Sequence, residues 1–388
     1  MSEYIANQQE LESLVERLMG SSVLAIDTEF LREKTYFAKL CLIQVNNGDI
    51  QAIIDPLTCT DLTVLAPILT DKNCVKIFHA GSQDLDIIYH ECGVVPAPLF
   101  DTQTAASLLG FPLQIGYGPL VKGVCGVTLP KADSYTDWSR RPLTKDQIKY
   151  ALDDVVYLPR IYDSMMAQLK RMGRVSWLDS EFAKMTDPKR YECDPDEIWH
   201  KVKRVSALSR RQLAIVRETA AWREREAMRR NLPRKWVMPD EAVVEIARKA
   251  PKTIDRLHEV RGLGSRLSTK ASREILAGVK RAQELPEEKL PRIEKKPHGT
   301  TEIDGAVDLM AAIVDIRARK NDVAPQVLAS RDELAALARG HRSGINVLEG
   351  WRAEMVGNEL IDILEGKRVI FLQDGQINVE KRKGKSEI

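Results

Sequence analysis

The residues most able to do chemistry in this chain are carboxylates in three separated stretches. In VLAIDTEF (23–30) an apolar run is followed at once by Asp27 and Glu29. Strand side chains alternate between faces, so these two acids project on the same side. They fall at the carboxyl end of the strand, where open α/β sheets tend to bind ligands. Close carboxylates repel, and an unpaired buried charge is costly; a hard divalent cation with oxygen ligands relieves both. The competing account is two acids facing water at a strand end. The second stretch is KIFHAGSQDLDIIY (76–89), where a strand ends at His79, Gly81 allows a tight turn and Asp84 enters the first turn of a helix. An acid there also suits the helix dipole. Asp86, two residues further, points in another direction.

The third stretch is KYALDDVVYLPRIY (149–162). Tyr150 and Asp154 are four apart on a helix and share a face; Asp153 is the rival acid. Ile148, Leu152, Val155 and Pro159 mark the apolar stripe. At roughly 100° per residue Asp154 leans toward that stripe, whereas Asp153 projects furthest toward solvent.

The elements that must carry these residues alternate in type. Strands are expected at Val23–Ile26, Lys39–Val45, Gln51–Asp55 (after the turn Asn46-Asn47-Gly48), Val75–His79 and Phe100–Asp101. Helices are expected at 61–69, 82–90 and 102–109, with one long helix at 144–169. Hairpin strands followed by strand–helix units predict an α/β layer fold with a mixed sheet over residues 1–190. Beyond about residue 200 the strand signal vanishes. Two helical blocks follow, read as domains at 205–285 and 300–375, separated by the proline- and charge-rich linker ELPEEKLPRIEKKPHGT. VMPDEAVVEIARKAP and VLASRDELAALARG align at an offset of 91, so the blocks read as repeats. Residues 376–388 read as a disordered tail.

Charge is unevenly spread. Residues 1–200 carry 19 basic and 28 acidic groups, whereas 201–290 carry 23 and 12. A basic module suits a phosphate backbone, and a solvated helical surface is the plainer alternative. Arg210, Arg211, Arg217, Arg223, Arg225, Arg229, Arg230, Arg234 and Lys235 gather there with Trp222 and Trp236. No apolar run approaches the roughly 18 residues of a membrane span, and the N-terminus has no basic-then-apolar signal pattern. The six cysteines form no C-x-x-C pair and read as buried thiols of a reducing, cytoplasmic compartment.

Taken together, D-x-E on a first strand, Asp after a later strand and Y-x-x-x-D on a late helix resemble the DEDD exonucleases, in their tyrosine-containing DEDDy branch. FHAGSQDLDII and TDWSRRPLTKDQIKYALDDVVYLPRIY are similar to the ribonuclease D family in particular, over about 1–175. The helical blocks resemble HRDC domains, which that family commonly carries in tandem. Asp153 departs from the family, which more often has a small residue there. The resemblance implies a ribonuclease H-like exonuclease fold followed by two all-α HRDC bundles. It implies 3′→5′ exoribonuclease activity releasing nucleoside 5′-monophosphates by two-metal hydrolysis with Mg²⁺ or Mn²⁺. Asp27 would bridge the ions, Glu29 and Asp154 would complete the site nearer the water, and Asp84 would hold the second ion. Tyr150 would orient the attacking water; with an ordinary tyrosine pKa of about 10, orientation is simpler than base catalysis. The implied partner is RNA with a single-stranded 3′ end, tRNA precursors above all, with no membrane and no obligate protein partner.

Substrate contacts are sought in His79, Trp138, Arg140 and Arg141. The histidine equally suits a structural hydrogen bond, and the loop residues equally suit surface packing. A DNA exonuclease and a non-catalytic RNA-binding protein are the alternatives; all five motif residues being present argues against the second. The terminal GKS is no phosphate loop, because the glycine such a loop requires falls at Val379.

Overall fold

The computed structural model describes residues 2–130, 136–263, 267–293 and 303–382. Six strands form one mixed sheet: β1 (Ser2–Ile5), β2 (Val23–Leu31), β3 (Lys39–Asn46), β4 (Gln51–Ile54), β5 (Val75–Phe78) and β6 (Leu99–Asp101). Their spatial order is β1-β4-β3-β2-β5-β6. The hairpin strands pair antiparallel, β2 with β3 and β3 with β4, while β1–β4, β2–β5 and β5–β6 are parallel. The strand sequences are apolar on both faces because both are covered. One core gathers Leu11, Leu14, Leu18, Ile26, Val45, Ile54, Phe78 and Ile88, and the other gathers Ala25, Ile77, Phe100, Val155, Ile161 and Met165.

Two expectations for this domain change. Strand β2 does not stop at Ile26 but runs through Asp27 and Glu29 to Leu31, so the acids stand within the strand. They are paired there with Gln44 and Leu42 of β3, and the register breaks between Glu29 and Phe30. Such a bulge twists a strand and re-aims its side chains. The expected long helix is two, Lys145–Val156 and Leu158–Arg171. Pro159 cannot donate a backbone hydrogen bond, and the chain restarts around it as the first turn of the second helix.

The helical blocks each have a core. The first contains helices Arg210–Arg230, Arg234–Val237, Asp240–Lys249, Ile254–His258 and Thr269–Glu284, packed around Leu213, Val216, Val243, Ile246, Ile275 and Val279. The second contains Asp304–Lys320, Pro325–Leu328, Arg331–Ala338 and Asn358–Leu364 around Met310, Ile313, Leu334, Leu337 and Leu360. The 91-residue offset carries Arg234–Val237 onto Pro325–Leu328 and Asp240 onto Arg331. Residues 294–302, which include the end of the linker, lie outside the described residues.

The C-terminal expectation is corrected. Residues 368–381 form a hairpin, β7 (Arg368–Gln373) with β8 (Gln376–Lys381), so the strand signal does not end near residue 200 and 376–381 are ordered. Asp374 and Gly375, both at positive φ, make the turn; Asp-Gly is a strong hairpin signal. Residues 383–388 lie outside the described residues.

Both helical domains touch the nuclease domain. Trp177 stacks on Trp351 at 4.2 Å, Arg174 donates to the carbonyls of Asn321 and Asp322, and Arg352 pairs with Glu181. The first bundle meets the loop between β2 and β3, where Tyr36 donates to Glu224.

Candidate active site

Each acid is placed by a distinct local device. Asp27 and Glu29 ride on β2, held centrally between β3 and β5. Asp84 is launched from β5 through Gly81. A Cβ there would stand 2.6 Å from Phe78 Cβ, so only glycine lets the turn close. The Asp101 carboxylate accepts from the Gly81 amide at 2.8 Å and pins that turn. The helix carrying Tyr150 and Asp154 starts at a capping box, Thr144 with Gln147, and buries Ala151 and Val155.

These devices bring the five residues to one cavity of about 300 Å³, lined by Asp27, Thr28, Glu29, Phe30, His79, Gln83, Asp84, Tyr117, Tyr150 and Asp154. Carboxylate oxygens of Asp27, Glu29 and Asp154 lie within 4.8 Å of one another. Asp84 lines the same cavity outside that triplet and accepts a hydrogen bond from the Thr28 hydroxyl. Asp153 points away and pairs with Lys149 at 2.5 Å, as its helical phase requires. Asp86 likewise turns outward, to Arg32 and His90.

Electrostatics follow from this crowding. Burial, then the charges of Asp84, Asp154 and Glu29, push the Asp27 carboxyl well above the usual range. Burial with the charges of Asp154 and Asp84 lifts Glu29 to about 8. Burial lifts Asp154 to about 7, against the hydrogen bond from Tyr150, and lifts Asp84 to about 6, against the bond from Thr28. Burial and the neighbouring carboxylates raise the Tyr150 hydroxyl above its ordinary value, so it remains a donor. Four acids crowded without a cationic side chain in the cavity lining make a donor set of oxygens alone, which fits hard divalent cations.

The substrate-contact candidates separate. His79 lines the cavity; its Nδ1 is 2.9 Å from Thr102 Oγ1, while its buried Nε2 makes no well-formed hydrogen bond among the described residues. Arg140 is 84% exposed and borders a larger cleft of about 700 Å³ that shares Tyr150 and Asp154 with the cavity. Trp138 is only 8% exposed. It stacks on the Tyr150 ring at 5.9 Å and packs with Cys41, Leu42 and Ile53, so it braces Tyr150 instead of offering a free face. Arg141 is consumed internally: it grips the buried Asp55 at 2.5 and 2.7 Å and donates to the carbonyls of Cys41 and Trp138. Its charge is committed to tying the 138–142 loop to the sheet.

The basic module is also largely committed. Arg210 donates to the carbonyls of Glu287 and Leu290, and Arg211 to those of Ala282, Gln283 and Leu285. Arg223 pairs with Asp240, Arg225 with Asp196, Arg229 and Arg230 with Glu226, and Arg234 with Glu224. Trp222 donates to Glu274, while Trp236 is half exposed.

Two lining residues escape sequence reasoning. Thr28 sits between two acids and reads as filler, yet its hydroxyl reaches Asp84. Tyr117 opens the short helix Tyr117–Cys125; its hydroxyl donates to the Asp153 carbonyl at 3.0 Å and its ring lies 5.5 Å from His79. Nothing local in the sequence marks Tyr117, because only the fold brings residue 117 beside 79 and 153.

Comparison with known proteins points the same way. A 3′-5′ exonuclease family model matches residues 2–170, and an HRDC domain model matches 212–279. The chain is 40% identical to a ribonuclease D of Sphingobium indicum, over 97% of this chain and 98% of that one. It is 37% identical to one of Acidiphilium cryptum, over 97% and 96%. The crystal structure of Escherichia coli RNase D, described as an exoribonuclease involved in structured RNA processing, superposes with a TM-score of 0.80. The identity is 32%, covering 94% of this chain and 99% of that one.

Proposed function

Because the chain belongs to the ribonuclease D family of 3′→5′ exoribonucleases, we propose that Asp27, Glu29, Asp84, Tyr150 and Asp154 are its catalytic residues. The observation that carries this is their convergence on one cavity, with the raised carboxyls just described. Asp27, Glu29 and Asp154 would hold one divalent cation, and Asp27 with Asp84 a second, Mg²⁺ or Mn²⁺. Such ions, when bound, supply an activated water and neutralise charge on the phosphate and the leaving 3′ oxygen.

The protein's own groups do the rest. Tyr150 keeps its proton, donates to Asp154 and presents its hydroxyl oxygen toward the water that attacks the terminal phosphodiester. Trp138 fixes the ring that carries that hydroxyl. His79 Nε2 offers a hydrogen bond to the terminal nucleotide. Arg140 attracts the backbone of the approaching strand. The products are nucleoside 5′-monophosphates, released from the single-stranded 3′ ends of structured RNAs, tRNA precursors among them, in the cytoplasm. The second bundle acts as a second HRDC domain, a reading supported by the 91-residue structural repeat.

The test is incubation with 5′-labelled tRNA precursors and matched single-stranded RNA and DNA, in EDTA, Mg²⁺ or Mn²⁺. One-nucleotide shortening of RNA from its 3′ end, only with metal, is the expected pattern. Internal cleavage, or equal digestion of DNA, would overturn the reading.

A further inference from the structure

The contact between the nuclease domain and the first helical bundle is built around a single carboxylate. Glu224 lies mid-helix in Arg210–Arg230, and its side chain is fully buried. It accepts from the Tyr36 hydroxyl, from Arg234 Nε and Nη2 at 2.6 Å each, and from Cys193 Sγ at 3.2 Å. The Arg234 guanidinium also lies 5.2 Å from the centre of the Tyr36 ring. At the end of the same helix Asn231 stands at φ 48°, and its side-chain oxygen accepts from the amides of both Tyr36 and Phe37 at 3.0 Å. A buried acid satisfied by three partners, with a second residue reading two consecutive amides, specifies one position of the loop.

That loop, 32–38, is the direct continuation of β2. Tyr36 stands seven residues beyond Glu29, past the bulge at Glu29/Phe30. Its other side rests on the helix Ser82–Cys92 that carries Asp84: Arg32 pairs with Asp86 at 3.2 Å, and the Phe37 ring meets His90 edge-on at 4.8 Å. Thus the strand bearing Asp27 and Glu29 and the helix bearing Asp84 are both braced through one loop, and the first bundle holds that loop.

We propose that Glu224, Asn231 and Arg234 are positioning residues for hydrolysis, holding the 32–38 loop so that β2 and the Asp84 helix keep the acids in register. This rests on the nuclease reading above. It gives the bundle a role in the chemical step that is separate from any contact it makes with RNA. Displacements of about 1 Å in a catalytic constellation cost roughly a hundredfold in rate.

The experiment compares full-length wild type with Tyr36→Phe and Asn231→Gly on a trinucleotide RNA and on a long RNA. A trinucleotide is used because it minimises contact beyond the cavity. Glycine keeps the left-handed backbone at 231 while deleting the acceptor. Arg256→Ala, which breaks an exposed pair in the same bundle, is the control. Wild-type turnover of the trinucleotide tests the nuclease reading by itself. The ratio of variant to wild type tests the latch. We expect kcat on the trinucleotide to fall roughly tenfold or more in both variants, with KM unchanged, Arg256→Ala at the wild-type rate, and all proteins melting cooperatively. Tyr36→Phe combined with Glu224→Gln should be no slower than the slower single variant. An unchanged kcat in both variants, or a defect confined to KM on long RNA, overturns the proposal.

Discussion

Replacing Glu29 with glutamine should stabilise the metal-free protein while destroying its activity. The carboxyl of Glu29 is lifted from 4.5 to about 8 by burial and by Asp154 and Asp84. A raised folded-state pKa means that the folded protein holds this proton more tightly than the unfolded chain. The associated stability is complete below the ordinary carboxylate range and is lost as pH rises through 8. At about 1.36 kcal/mol per pH unit, full ionisation would cost at most about 5 kcal/mol. Glu29 is only partly enclosed and its neighbours share the strain, so about 2 kcal/mol is the expected gain for Glu29→Gln at pH 8. For a domain of this size that is roughly 4–8 °C in Tm. The assay is thermal melting of both proteins in EDTA at pH 5 and pH 8. The variant should melt higher at pH 8, and the two should converge at pH 5. Adding Mg²⁺ or Mn²⁺ should raise the wild type and leave the variant nearly unmoved, and exonuclease activity should drop by roughly two to three orders of magnitude. A variant that melts lower than wild type at pH 8 in EDTA, or gains as much from metal, would refute the reasoning.

Other expectations follow from the same geometry. Tyr150→Phe removes the donor to Asp154 and should lower kcat by roughly ten- to a hundredfold, with metal binding by calorimetry retained. Arg141→Ala strands the buried Asp55 carboxylate and should cost about 3 kcal/mol in a denaturant titration; KM for RNA should stay the same, since the guanidinium faces inward. Arg140→Ala should do the reverse, raising KM severalfold at low salt and flattening its salt dependence while the melting curve holds. Arg174→Ala removes the donors to Leu108, Asn321 and Asp322 and should expose the junction near Trp177 to hydrogen exchange.

What was legible in the sequence was the part written in local periodicity. The alternation at 23–29 placed Asp27 and Glu29 on one face, the 3.6-residue phase separated Asp154 from Asp153, and Gly81 marked the turn that launches Asp84. Long-range geometry was not written there. Arg141 stood evenly between a substrate contact and surface packing because no local pattern announces Asp55, 86 residues away. For Trp138 base stacking and packing were equally open, because its burial depends on β3 and β4 closing over it. The arginines of the first bundle read as an RNA surface, yet most spend their donors on helix ends and acids contributed by other segments. The 368–381 hairpin was different: Asp374-Gly375 between alternating residues was a readable signal, masked by the helical run before it.

Diffraction from crystals soaked in Mn²⁺, recorded at the manganese absorption edge, tests the central claim most directly. Two anomalous peaks should flank the Asp27 carboxylate, one beside Glu29 and Asp154 and one beside Asp84, and both should vanish in Asp27→Asn. Manganese density elsewhere with none at Asp27, or peaks that persist in the variant, would contradict the account.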